Sequence, residues 1–133
     1  YLNFSINQLG LNKNVKLLGK LDHNSIPPIL KQTDIYIQYS LSEGFCNAVL
    51  EAQAAGCLCI VSDADGLNEN VLDGRTGWVV TKRRSDLLAQ KILEIINAPQ
   101  SELLEISHRA AERIQAEFNL EKQRKEFVTF YKD

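Results

Sequence analysis

The stretch DIYIQYSLSEGFCNAVLEAQAAGCLCIVS, Asp34 to Ser62, decides the fold. It opens with DIYIQYS, whose isoleucines and tyrosines favour a strand. A loop follows, and then Asn47 to Ala55 reads as a helix stopped by Gly56. CLCIVS, Cys57 to Ser62, is a nearly continuous apolar run, the pattern of a strand covered on both faces. Strand, helix and strand imply a crossover, hence a parallel sheet. The expected fold class is therefore α/β, a Rossmann-like three-layer sandwich. In such sheets ligands bind beyond the carboxyl ends of the strands.

The flanks extend the same alternation. YLNFSINQLG (residues 1–10) reads as the last turns of a helix, with Gly10 as its stop. VKLLG (residues 15–19) reads as a short strand, and SIPPILKQ as a helix with Ser25 as candidate cap and prolines in its first turn. Downstream, LNENVL (residues 67–72) predicts a short helix, DGRTG a turn and WVV (residues 78–80) a last strand. The chain then ends in helices. Leu87, Leu88, Ile92, Ile95 and Ile96 mark one apolar stripe; Leu103, Leu104, Ala110, Ala111, Ile114 and Phe118 mark a second; Leu120, Phe127, Val128 and Tyr131 mark a third. Pro99 separates the first two.

Totals bound the function. With 133 residues, 44% hydrophobic and 24% charged, the chain suits one soluble domain spanning residues 1–133. A net charge of −2 supplies no basic field, so no nucleic-acid partner is expected. No apolar run approaches the ~20 residues of a bilayer span, and the start shows no signal-peptide pattern. The three cysteines, Cys46, Cys57 and Cys59, lack metal or disulfide spacing. Cys57 and Cys59 share one strand face and are expected to be buried, reduced thiols. These features predict a cytoplasmic protein.

Chemistry concentrates where the first strand passes into the helix. Gly44 lets the backbone turn tightly or approach a ligand, and Asn47 is a good capping residue. The unpaired N–H groups of the helix start favour a phosphate. Glu43 stands ahead of the helix, and Glu51 lies about one turn in, ~6 Å along the axis from the cap. Carboxylates accept hydrogen bonds from sugar hydroxyls but repel phosphate. Two of them bracketing an anion site fit a sugar–diphosphate–ribose ligand. The competing reading is that each glutamate is a solvated residue favoured by the helix dipole alone.

SEGFCNAVLEAQAAGCLCIVSDADGLNENVLDGRTGWVV resembles the C-terminal half of a glycosyltransferase family 4 enzyme, the "glycosyl transferases group 1" domain. The matching positions are Ser40, Glu43, Gly44, Phe45, Glu51, Ala52, Ala54, Gly56, Gly66, Glu69 and Gly77. The resemblance implies the C-terminal half of a GT-B fold. It implies an enzyme that moves a sugar from a nucleotide-diphosphate-sugar donor to a glycan, lipid or other acceptor, retaining the anomeric configuration and using no metal or cofactor. Glu43 would be catalytic, facing the donor sugar and its leaving phosphate. The amides of Gly44, Phe45, Asn47 and Ala48 would meet sugar hydroxyls or the diphosphate, and Glu51 the ribose. Gly19, Lys20 and Leu21 would lie against the base. The resemblance implies that the family's diphosphate-clamping Arg and Lys, and its acceptor domain, lie upstream of Tyr1, so the chain by itself is expected to be an inactive donor-binding fragment. The resemblance also leaves room for peripheral association of the full-length protein with the inner face of the membrane.

Two departures stand out. Cys57 replaces the usual proline after Gly56, and Asp65-Gly66-Leu67-Asn68-Glu69 lacks the family loop's first glycine and its proline. DAD (residues 63–65) imitates a metal-binding Asp-x-Asp but also reads as a polar strand exit. His23, near the first loop, and His108, in a helix, are bases by residue type only. Trp78 reads as core edge, and KRRSD (residues 82–86) as a solvated turn that could also meet an acidic lipid surface. A nicotinamide-binding domain would need Gly-x-Gly-x-x-Gly, which is missing. The alternatives kept are an epimerase- or phosphorylase-like GT-B enzyme and a non-catalytic nucleotide-binding or interaction module.

Overall fold

Apolar residues on both faces of one strand organise the molecule. In a computed structural model, which describes residues 2–40 and 47–117, that strand is β2 (Leu58–Ser62), flanked by β1 (Ile35–Gln38) and β3 (Trp78–Val80). The order is β1-β2-β3 and both pairings are parallel, with Ile35 opposite Leu58 and Ile60 opposite Trp78. Helices α1 (Leu2–Gln8), α2 (Ile26–Lys31), α3 (Asn47–Ala54), α4 (Leu67–Asn70), α5 (Ser85–Ile96) and α6 (Gln100–Glu117) complete the described residues. The third predicted apolar stripe lies outside them.

Side chains alternate across β2, so its two faces feed two cores. Cys59 and Val61 pack with Leu30, Val49, Ala52 and Leu67 from α2, α3 and α4. Leu58 and Ile60 pack with Leu87, Leu88, Ile92 and Ile95 from α5 and with Leu103 of α6. Helices therefore cover both faces, giving the three-layer sandwich that the apolar run of β2 predicts. Trp78 is half-buried in the second core. Cys57 and Cys59 are free and buried, and burial pushes the Cys59 thiol up to about 12.

Glycines end the helices as predicted. At Gly10 (φ 66°) the chain turns back, Gly10 N–H bonding Asn7 O at 3.2 Å and Leu11 N–H bonding Ile6 O at 2.9 Å. The same paired bonds recur at Gly56 (φ 94°), from Gly56 N–H to Gln53 O and from Cys57 N–H to Ala52 O. Both are Schellman turns, which satisfy the last carbonyls of a helix.

Two expectations need correction. VKLLG forms no strand and joins no sheet among the described residues, and Val15, Leu17 and Leu18 remain 40%, 46% and 48% exposed. A strand exists only through a neighbour's backbone, and among the described residues β1 takes its ladder from β2 alone. Ser25 precedes α2 but makes no capping bond; a 3-10 turn, His23–Ser25, leads into the helix instead.

Candidate functional site

The parallel strands place the exits of β1 and β2 on one edge of the sheet. Ser62 joins them. Its buried hydroxyl accepts from Ser40 N–H at 3.2 Å and donates to Ser40 O at 2.5 Å. The ends of β1 and β2 are thus tied side by side. Tyr39 braces the third exit, its hydroxyl donating to Thr81 O and accepting Arg84 N–H at 2.8 Å. There Arg83 takes a left-handed φ of 62°.

Helix α3 opens at Asn47 on this edge. Asn47, Ala48 and Glu51 are exposed, whereas Val49, Leu50, Ala52 and Gln53 are buried. Residues four apart share a helix face, and helical side chains lean toward the N-terminus. The Glu51 carboxylate therefore shares the open side of the helix start with Asn47 and Ala48. Glu43, Gly44 and Phe45 lie outside the described residues. Gly19 (φ 68°), Lys20 and Leu21 form an exposed turn ahead of α2, and among the described residues no hydrogen bond links it to α3.

The aspartates of DAD divide. Asp63 accepts Lys82 N–H at 2.8 Å through Oδ1, fastening the β3 exit, while Asp65 is exposed. Among the described residues no group of three His, Cys, Asp or Glu is placed to hold a metal ion. His23 and His108 are both exposed. The Arg84 side chain grips Asp86 through two bonds of 3.0 and 2.9 Å, and that hydrogen bond lowers the Asp86 carboxyl to about 2. A cavity of about 510 Å³, lined by Lys31, Asp34, Leu58, Gln100 and Leu104 among others, opens at the opposite, amino end of the sheet.

Comparison with known proteins gives this edge a context. The family model "Glycosyl transferases group 1" matches residues 1–116. The chain belongs to the glycosyl transferases group 1 family. The UDP-Gal:alpha-D-GlcNAc-diphosphoundecaprenol alpha-1,3-galactosyltransferase of Escherichia coli is 45% identical over 69 residues, 50% of this chain and 17% of that protein. HepE of Anabaena, solved in complex with UDP and glucose, superposes with a TM-score of 0.92 at 25% identity, covering 98% of this chain and 35% of that one. The C-terminal domain of the group 1 protein LpcC from Francisella tularensis superposes at 0.80 with 27% identity, over 90% of this chain and 61% of that one. The group 1 chain described here spans well under two thirds of the relatives it matches first. Its fold is the Rossmann-like C-terminal half of a GT-B glycosyltransferase.

Two residues of this edge carry little signal in the sequence: Tyr39 and Ser62. Ser62 could have been noticed as the polar end of an apolar strand. Tyr39 reads as strand, and only the folded chain shows what it holds.

Proposed function

We propose that this chain is the donor-binding half of a retaining, metal-independent glycosyltransferase of the family 4 type. The full-length enzyme would move a hexosyl group from a nucleotide-diphosphate sugar to a glycan or lipid-linked acceptor held by an N-terminal domain. The observation that carries this reading is the exposed face at the start of α3. Asn47, Ala48 and Glu51 line its exposed face at the edge where β1 and β2 end. The N–H groups of a helix's first turn suit a diphosphate, and the Glu51 carboxylate suits the ribose hydroxyls. UDP bound to HepE, a protein of the same fold, supports it.

In this scheme, donors fixed where charge grows on the leaving diphosphate lower the barrier. The amides of Gly44, Phe45, Asn47 and Ala48 fill that role, and Glu43 faces the donor sugar. Gly19, Lys20 and Leu21 lie against the base. An arginine and a lysine that clamp the diphosphate, and an acceptor domain, would complete the catalyst. No helix among the described residues is long and apolar enough to cross a membrane. The reading places the full-length protein in the cytoplasm, at the inner face of the membrane when its acceptor is lipid-linked.

Calorimetric titration of the full-length protein with UDP, GDP and ADP tests the site and selects the base. Binding of one nucleotide, unchanged when Mn²⁺ or Mg²⁺ is removed, is expected. No binding of any at millimolar concentration overturns the reading, and strong metal dependence overturns its metal-free part. Glu51→Ala should weaken the nucleotide by ~1.5–3 kcal/mol, the worth of charge-assisted bonds. Glu43→Ala should lower turnover more than affinity.

A further inference from the structure

Helix α4 has only four residues, Leu67–Asn70, too few to persist on their own propensity. Its last carbonyls need partners from elsewhere. They find them on two other helices. Arg113 of α6 donates from Nη1 to Asn70 O at 3.0 Å and from Nη2 to Glu69 O at 2.9 Å. Its Nε meets Glu117 at 3.2 Å, and the side chain is only 14% exposed. Gln53 of α3 adds a second bond to Asn70 O, from Nε2 at 2.9 Å. The planar fork of arginine matches two adjacent carbonyls, and its charge suits the negative end of a helix.

Gln53 shows that this grip has a cost. The residue is wholly buried, and among the described residues its Oε1 has no hydrogen-bond partner. An unpaired buried acceptor is destabilising, and an apolar side chain of similar size would avoid it. What Gln53 supplies in return is the second donor to Asn70 O. Leu67 and Asn70 are buried while Asn68 and Glu69 are exposed, so the clamped turn directs its two outer residues away from the core. The turn follows the β2 exit, which Ser62 ties to the β1 exit that leads to α3.

From this geometry we infer that Arg113, seconded by Gln53, is a positioning residue for the donor site, holding α4 so that Glu69 is presented to hydroxyls of the bound sugar nucleotide. The inference rests on the donor-binding reading above. Arg113 touches no ligand; it acts through the carbonyls of residues 69 and 70.

The test uses the full-length protein with Arg113→Ala, Glu69→Ala and the double variant. Without ligand, amide exchange at Leu67 and Val71 should rise about tenfold in Arg113→Ala, while exchange in β2 stays unchanged. UDP-glucose affinity should fall about tenfold in each single variant, the loss expected for a hydrogen bond to a charged group. The double variant should bind no more weakly than the worse single one, because both changes remove the same contact. Unchanged exchange at α4, or losses that multiply to about a hundredfold, would overturn the inference. Should Arg113→Ala fail to fold, Arg113→Lys carries the same readings; it keeps the charge and loses the fork. A wild-type protein that binds UDP-glucose, with α4 exchange unmoved by either variant, overturns the positioning role alone. A wild-type protein that binds no nucleotide sugar overturns the donor reading and the site role of Arg113, while the exchange data still report on the clamp.

Discussion

Cys59 has no exposed surface, and burial raises its thiol from 9.0 to about 12. Because the folded value is the higher one, its contribution is fully present below pH ~9. It is lost as pH climbs toward 12, where the unfolded thiol has ionised and the folded one has not. Denaturant melts should therefore show stability declining between pH 9 and 11, and Cys59→Ala should flatten that slope while lowering stability at pH 7. Ser62 makes a second residue-scale prediction. Ser62→Ala strips a buried bridge from Ser40 N–H and O, and should cost about 1–3 kcal/mol in chemical denaturation. The alternation of CLCIVS announced the buried thiols. It gave no hint that the final serine ties two loops together, because that bond joins residues far apart in the chain.

Elements were legible wherever their cause is local. Gly10 and Gly56 end helices through their own left-handed backbone, and the apolar stripes of α5 and α6 repeat at helical spacing. Gly77 is different. Its φ is ordinary, yet a Cβ there would meet Cys59 O at 2.6 Å and Val71 Cγ1 at 2.8 Å. Gly77→Ala should then destabilise by about 1–3 kcal/mol through overpacking against backbone, visible as a lowered melting temperature. The segment VKLLG failed as a strand for the opposite reason. Its sequence has strand character, but a ladder needs an adjacent backbone that pattern alone cannot supply. Likewise α4 stands as a helical turn because Arg113 and Gln53 hold its carbonyls, and neither lies near it in sequence.

Across the whole molecule, order is graded around β2. Cys59, Ile60 and Val61 have no exposed surface, whereas α1 buries no residue and Leu2, Phe4 and Leu9 are more than 60% exposed. Local opening is easiest where few apolar contacts resist it. Amide exchange should be slowest in β2, intermediate in α5 and α6, and fastest in residues 2–21; uniform protection would contradict this gradient. By itself, the order of residues determined the alternation of strands and helices, the parallel sheet and the family signature that marks Glu43 and Glu51. These follow from periodicity and turn chemistry, which act over a few neighbours. Only the tertiary structure decided that Glu51 shares the open face of α3, that Ser62 joins two strand exits and that α6 clamps α4. Those outcomes depend on which distant backbones come within hydrogen-bonding reach once both faces of β2 are covered.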